Sequence, residues 1–222
     1  MDALQGFRVV RFDARGHSGS TRGSELYNLN DMAADVVGVL DALGIAVAHY
    51  CGVSMGGMVG QYLALNFPER IGSLALVNTT SGYSKEQVAL WRERADIAEE
   101  RGISEFSAAL LSRWFTNEAC ESKAPGWAYM HACLEEFDPR SFASAARAIS
   151  RVDTQGRLGE IHSPTIIIAS PTDPGVPAQI SQSMARAITT AQLHWLAPSR
   201  HLATLEHPVR FATLLREFLS NT

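Results

Sequence analysis

A serine between two glycines, directly after a short apolar run, constrains this chain more than any other feature. The stretch YCGVSMGGMVG runs from Tyr50 to Gly60, with Ser54 near its centre. It fits a Gly-rich turn that joins a buried strand to a helix. It also fits a nucleophile elbow, in which small residues let the chain bend sharply and expose the serine hydroxyl.

Short apolar runs alternate with helical patterns along most of the chain, which indicates a mainly parallel α/β sheet. We predict strands at residues 7–12 (FRVVRF), 46–51, 72–78, 163–170 and 191–197. The first helix is predicted to begin at a cap formed by Asn30 or Asp31 and to stop at Gly44. A second helix follows the serine and ends before Pro68.

The strand pattern is absent from about residue 84 to residue 149, where successive segments have helical periodicity. An all-helical block inside an α/β alternation predicts an inserted cap, or lid. We therefore assign residues 1–83 and 151–222 to an α/β core and residues 84–150 to the cap.

Composition excludes several classes of function. The chain has 222 residues and a net charge of −4, which argues against nucleic-acid and anionic-membrane partners. No apolar run approaches the roughly 20 residues of a membrane span, and the start does not resemble a signal peptide. The three cysteines lack metal-ligand spacing, so we expect no metal, a cytoplasmic location and free thiols, with Cys51 facing the core.

An elbow serine needs a histidine as base and an acidic residue that orients this histidine. Along the chain the acidic residue follows the serine first, and the histidine comes after it. Asp173 comes just after a predicted strand, although an aspartate before Pro174 is also a common turn residue. Of the three histidines that follow, His201 lies in a loop, whereas the others lie inside a strand and at the start of a helix. The sequence predicts that Ser54, Asp173 and His201 meet at the carboxyl edge of the sheet. The Met55 N–H is the natural donor to an oxyanion.

Several blocks of the sequence carry a family resemblance. They are FRVVRFDARGHSGS, GVSMGGMVGQYLALNFPERIGSLALVNT, LLSRWF, IHSPTIIIASPTDPGVP and RHLATLEHPVRFATLLREFL. Together they resemble the α/β-hydrolase superfamily, and most of all its 3-oxoadipate enol-lactonase group and esterase relatives. The resemblance implies Ser54 as nucleophile, His201 as general base and acid, and Asp173 as the group that orients the imidazole. It also implies acyl transfer from a small ester or lactone to water, without metal or cofactor.

The start of the chain departs from that family. Members of that family carry a longer segment before the stretch that corresponds to FRVVRFD. This segment contains an apolar strand and a His-Gly loop that supplies a second oxyanion donor. We therefore expect an N-terminally shortened sheet, weakened catalysis, and residues 7–12 as an edge strand. Because an edge strand exposes unpaired N–H and C=O groups, we also expect a homo-oligomer.

The segment LLSRWF contains Arg113 and Trp114 on a predicted cap helix. By resemblance to the enol-lactonase group, these two residues lie near the pocket. The arginine there can pair with a substrate carboxylate, or it can face solvent beside a tryptophan that packs in the cap.

Other functions compete with ester or lactone hydrolysis. A cofactor-free perhydrolase would use the same residues, and an inactive remnant could act as a binding protein. A dehalogenase is disfavoured because its chemistry needs an aspartate where Ser54 stands.

Overall fold

The computed structural model describes residues 4–23 and 26–222. Four parallel strands form one sheet in the order β1 (Ala48–Val53), β2 (Ile71–Val77), β3 (Thr165–Ala169) and β4 (Ala191–Trp195). Gly52 pairs with Leu76, and Leu76 pairs with Ile167. All the strands run the same way, so their carboxyl ends meet at a single edge. The predicted parallel α/β sheet is confirmed.

Helices connect the strands and fill the long insertion. They are α1 (Leu29–Ala42), α2 (Met55–Asn66), α3 (Lys85–Arg101), α4 (Ser107–Trp114), α5 (Asn117–Glu121), α6 (Pro125–Glu136), α7 (Pro139–Ile149), α8 (Ala178–Ala187), α9 (Ala203–Glu206) and α10 (Pro208–Leu219). Short 3-10 helices lie at Pro68–Arg70, Ile103–Glu105 and Gln155–Glu160. No helix in the described ranges is long and apolar enough to cross a bilayer.

The two faces of the sheet are covered by different helices. On one face, α1, α2 and α8 bury a cluster that includes Leu74, Leu76 and Ile167. On the other face, α10 packs Leu215 and Phe218 against side chains of β2 and β3. The central strand β3 is buried along its whole length, so the sheet is fixed by apolar burial on both sides.

The cap of the first helix lies two or three residues earlier than the sequence predicts. Asn28 is the cap, and its side chain accepts hydrogen bonds from the backbone N–H groups of Asn30 and Asp31. The Asp31 carboxylate accepts the Asn28 N–H in return, at 2.8 Å, which completes a capping box. Asp31 is thus the third residue of the helix rather than its cap. The helix ends as predicted before Gly44, which has a φ of +64°.

The prediction of a strand at residues 7–12 is wrong. This segment is irregular, and β1 is the edge of the sheet in the described chain. Val10 is 38% exposed and Phe12 is 43% exposed, while the Phe7 ring meets His49 edge-on at 6.3 Å. A strand requires a ladder of hydrogen bonds, and residues 7–12 have none with β1.

Cys51 is exposed, which contradicts the expectation that it faces the core. It pairs with Ala75 of β2 and therefore shares the face that α10 covers. On the same face of β1, Val53 packs against this cluster, whereas Cys51 is left exposed.

The insertion between β2 and β3 has its own apolar cluster. Helix α3 packs along α7, and small side chains let the two helices approach closely; these are Ala95, Ala98, Ala143 and Ala146. At the base of the insertion, Gly82 and Asp153 form an antiparallel bridge. The chain therefore leaves the sheet region and returns to it at nearly the same point.

Candidate active site

Ser54 lies on a sharp bend between β1 and α2. Its φ of +53° and ψ of −114° form a backbone conformation that L-residues rarely adopt. The Ser54 N–H donates to the carbonyl of Val77 at 2.8 Å, and α2 starts at the next residue. The bend holds the Ser54 side chain at the carboxyl edge of the sheet, as an elbow requires.

Two of the nearby glycines are needed for the chain to pack at this bend. A Cβ on Gly52 would lie 2.2 Å from the carbonyl carbon and oxygen of Gly56. A Cβ on Gly57 would lie 2.6 Å from the Thr79 side chain. In contrast, a Cβ on Gly56 would meet nothing closer than 3.9 Å. The close approach of strand and helix therefore depends on Gly52 and Gly57.

The structure brings Ser54, His201 and Asp173 into one hydrogen-bonded chain. His201 Nε2 lies 2.8 Å from Ser54 Oγ, and His201 Nδ1 lies 2.7 Å from Asp173 Oδ2. The Asp173 side chain is only 1% exposed, and its other oxygen accepts the Gly175 N–H at 2.7 Å. A buried carboxylate beside Nδ1 keeps the imidazole proton on that nitrogen. Nε2 is then free to accept the hydroxyl proton of Ser54.

Asn78 holds the loop that carries His201, and sequence reasoning missed it. Its amide nitrogen donates to the carbonyls of Arg200 and His201, at 2.9 and 2.6 Å. Its amide oxygen accepts the N–H of Ser170 at 2.9 Å. Asn78 thereby connects the ends of β2 and β3 to the histidine loop. The only sequence signal was an asparagine at a strand end, which also fits an ordinary turn.

A second carboxylate near the histidine, Glu206, has a different task. One oxygen accepts the backbone N–H of Arg200 at 2.7 Å. The other accepts the N–H and the hydroxyl of Thr116, at 2.9 and 2.7 Å. Glu206 therefore ties the histidine loop to the helical insertion, while Asp173 bonds the imidazole.

Met55 is the first residue of α2. The first N–H groups of a helix have no partner within the helix, and they carry the positive end of its dipole. The Met55 N–H adjoins Ser54 and suits the oxyanion role that the sequence predicts for it. On the far side of Ser54 the described sheet ends at β1, so no further strand of residues 4–23 or 26–222 adjoins the site there.

A cavity of about 870 Å³ opens in front of Ser54 and His201. Helical residues of the insertion and the loop at residues 12–18 line it. Its aromatic and basic lining residues include Tyr83, Trp91, Arg94, Arg113, Trp114, Tyr129, Phe137 and Phe142. No group of three or more His, Cys, Asp or Glu side chains in the described ranges is arranged to hold a metal ion.

Arg113 and Trp114 both line this cavity, and both also connect the insertion to the core loops. The Arg113 guanidinium donates to the carbonyl of Pro174 at 3.1 Å, directly after Asp173. The Trp114 carbonyl accepts the N–H of Leu202 at 3.0 Å, directly after His201. Sequence reasoning missed a further arginine of the cavity, Arg94, whose guanidinium lies 5.0 Å from the Trp91 ring centre.

A parallel sheet with a helical insertion, and with serine, histidine and carboxylate in contact at its carboxyl edge, is the arrangement of the α/β hydrolases. Residues 1–208 match the family described as the alpha/beta hydrolase fold, and the chain belongs to that family.

Individual relatives are enzymes of related kinds. The chain is 30% identical over 203 residues to 3-oxoadipate enol-lactonase 2 of Acinetobacter baylyi, a match that covers 91% of this chain and 75% of the relative. It is 32% identical to RutD of Caulobacter segnis, described as a proposed carbamate hydrolase, over 95% of this chain and 80% of the relative. Among solved structures, a hydrolase from Pseudomonas aeruginosa is 35% identical with a TM-score of 0.93, covering 98% of this chain and 82% of that one.

Proposed function

We propose that this protein hydrolyses carboxylic esters or lactones through an acyl-enzyme on Ser54. The observation that carries this proposal is the continuous hydrogen-bonded chain from Ser54 Oγ through His201 to Asp173, at the base of a cavity. A serine hydroxyl is a weak nucleophile unless a base within hydrogen-bond reach takes its proton. Here that base is His201, and the buried carboxylate of Asp173 orients it.

The reaction runs in two halves. His201 Nε2 takes the Ser54 proton as Oγ attacks the carbonyl carbon, and the Met55 N–H stabilises the oxyanion that forms. The imidazolium, stabilised by Asp173, then gives its proton to the departing alkoxide. Water attacks the acyl-enzyme with His201 again as base, which releases the acid and restores Ser54. Every proton passes between Ser54, His201 and substrate or water, so no cofactor is required.

Two observations support an ester or lactone as the substrate. The cavity size suits a small molecule, and its wall is mostly aromatic and aliphatic with a few polar groups. The similarity to an enol-lactonase points the same way. Arg113 and Trp114 contribute to this wall, where they shape the substrate end of the cavity.

Carbamate hydrolysis is the second candidate, and the similarity to RutD favours it. A carbamate presents a carbonyl to the same serine, so the nucleophile does not separate the two reactions. A comparison of turnover on an aryl ester, a lactone and an aryl carbamate decides between them. If the carbamate is turned over faster, carbamate hydrolysis replaces ester and lactone hydrolysis as the proposed reaction. The proposed roles of Ser54 and His201 then stay the same.

The direct test measures p-nitrophenyl acetate hydrolysis by the wild-type protein and by Ser54→Ala. Removal of the nucleophile is expected to lower kcat by about 10⁴-fold or more. Ser18→Ala is a matched control, because Ser18 lines the same cavity and also has a positive φ, yet lies outside the hydrogen-bonded chain of Ser54, His201 and Asp173. Mass spectrometry of an acid-quenched reaction should find the acetyl group on the Ser54 peptide. Full activity of Ser54→Ala would overturn the proposal, and a wild-type protein without turnover would favour the binding-protein alternative.

We also propose that the chain forms a homo-oligomer through the open edge of β1. Within the described residues β1 is the edge of the sheet, and the exposed apolar side chain of Val47 directly precedes it. Such an edge favours pairing with another strand. Light scattering on the folded protein at micromolar concentration tests this, and a stable monomer contradicts it.

A further inference from the structure

The backbone carbonyl of Ser54 is held by a buried threonine on the loop after β2. The Thr79 hydroxyl donates to this carbonyl oxygen at 2.7 Å. The backbone N–H of Met58, one turn into α2, donates to the same oxygen at 3.1 Å. Thr79 is 3% exposed and does not line the cavity. Its hydroxyl is therefore directed at the elbow and not at a substrate.

The loop after β2 and the start of α2 fit together so that this hydroxyl reaches the elbow. Asn78 has a φ of +41°, so the chain turns sharply just before Thr79. The Thr79 side chain occupies the space that Gly57 leaves open, where a Cβ on Gly57 would lie 2.6 Å from it. The fully buried Gln61 donates to the carbonyls of Gly57 and Thr80, at 3.3 and 3.0 Å. These contacts fix the threonine against the helix.

The Ser54 carbonyl and the Met55 N–H belong to one peptide group. A trans peptide group is planar, and its C=O and N–H bonds point in opposite directions. The hydrogen bond that fixes the Ser54 oxygen therefore also fixes the direction of the Met55 N–H. Donation to a peptide carbonyl also polarises the group and strengthens the N–H at its other end as a donor. Because Ser54 has strained backbone angles, this peptide group would rotate more easily without the Thr79 contact.

We propose that Thr79 is a positioning residue for the oxyanion donor. Its hydroxyl aims the Met55 N–H at the oxygen of the substrate carbonyl, where negative charge develops in the transition state. The proposal rests on the hydrolase function given above and adds a residue that acts through the backbone of the elbow. Because Thr79 does not line the cavity, loss of its hydroxyl should weaken stabilisation of the transition state and leave substrate binding unchanged.

The first test measures kcat and KM for p-nitrophenyl acetate. Thr79→Val removes the hydroxyl and keeps the shape of the side chain. We expect kcat to fall by about 5- to 20-fold with KM within about 2-fold, a smaller loss than for a missing donor, because the Met55 N–H remains. Thr79→Ala should give the same loss, and Thr79→Ser should stay within about 3-fold of the wild type, because its hydroxyl can make the same bond.

Thr80→Val is the matched control for the loss of a buried hydroxyl. Thr80 is 1% exposed, and its hydroxyl bonds to the backbone of Gly82 and not to the elbow. This variant should keep the kcat of the wild type, although it also loses a buried hydrogen bond.

A trifluoromethyl ketone separates oxyanion stabilisation from other effects on activity. The Ser54 hydroxyl adds to the carbonyl of trifluoroacetone, His201 takes the proton, and the former carbonyl oxygen of the hemiketal occupies the oxyanion position. Fluorine NMR follows the ionisation of this hemiketal with pH. A well-aimed N–H favours the anion, so Thr79→Val should raise the pH of ionisation by about one unit, which corresponds to a tenfold weaker stabilisation. Thr80→Val should leave it unchanged.

The outcomes separate the role of Thr79 from the hydrolase function. An unchanged kcat in Thr79→Val, an equal loss in Thr80→Val, or a lower kcat with unchanged hemiketal ionisation would overturn the positioning role while the hydrolase function stands. A wild-type protein without Ser54-dependent turnover, but with a hemiketal whose ionisation depends on Thr79, would support the positioning role and overturn the hydrolase function. A protein with neither turnover nor hemiketal would overturn both.

Discussion

The two sides of Ser54 are built very differently. Toward β3 and β4 the sheet continues, and its strand ends supply the loops that carry Asp173 and His201. Toward β1 the described sheet stops, and the nearby residues 7–12 are irregular and largely exposed.

In the mechanism proposed above, this difference separates two tasks, proton transfer and stabilisation of the oxyanion. The side that moves protons is held by several hydrogen bonds, among them those of Asn78 and Glu206. The side where the oxyanion forms has the Met55 N–H at a helix start as its identified donor. One oxyanion donor typically contributes about 2.7–4 kcal/mol of transition-state stabilisation, and we expect the Met55 N–H to contribute on that scale.

The largest loss of kcat is expected for a change on the side of Ser54 that carries Asp173 and His201. Asp173→Asn keeps the shape of the side chain but removes the charge that fixes the imidazole tautomer. We expect kcat for p-nitrophenyl acetate to fall by about 10⁴-fold, with an unchanged circular dichroism spectrum. Asp153→Asn, at an exposed carboxylate, is the control and should keep full activity. A loss below about 10-fold for Asp173→Asn would mean that this side does not carry the chemistry.

Next in size is a pair of changes in the elbow, one on each side of the serine. Gly52→Ala drives a Cβ into the Gly56 carbonyl and should lower the free energy of unfolding by about 3 kcal/mol or more. Gly56→Ala meets open space at the start of a helix and should raise it by about 0.5–1 kcal/mol. Urea denaturation measures both. Similar values for the two variants would contradict the close strand–helix approach at Gly52.

A smaller effect is expected from the residue that joins β2 to the histidine loop. Asn78→Asp replaces the donor to the carbonyls of Arg200 and His201 with an acceptor. We expect a loss of about 2 kcal/mol in the free energy of unfolding and a kcat about 10-fold lower. Asn221→Asp, at an exposed residue near the end of the chain, controls for the added charge. A kcat that stays unchanged would show that Asn78 stabilises the fold without positioning His201.

The smallest change in the free energy of unfolding is expected for a substitution in residues 7–12, on the β1 side of Ser54. Val9 is 36% exposed, so Val9→Thr is expected to change the free energy of unfolding by less than about 0.5 kcal/mol. Val77→Thr makes the same substitution at a fully buried position of β2 and should cost about 1–3 kcal/mol. Equal costs in denaturant titrations would mean that residues 7–12 are packed as firmly as the sheet, which would remove the contrast between the two sides.

Features that are local in sequence could be predicted, and features that depend on distant partners could not. Apolar runs and the Gly-x-Ser-x-Gly spacing indicated β1, the bend at Ser54 and α2. Chain order then selected Asp173 and His201. Residues 7–12 have the composition of a strand, but strand formation needs a partner that the local sequence does not reveal. Asn78 was missed for the same reason, because its role arises from contacts across the fold.

The positive φ of Ser54 places protein stability and the proposed catalytic turnover in conflict at one residue position. A non-glycine residue in so rare a conformation typically costs about 1–3 kcal/mol, whereas glycine adopts a positive φ freely. A library of variants sorted only by melting temperature would therefore enrich glycine at position 54 and discard the hydroxyl. The same library sorted by product formation would retain serine. Engineering for higher thermal stability should therefore keep serine at position 54.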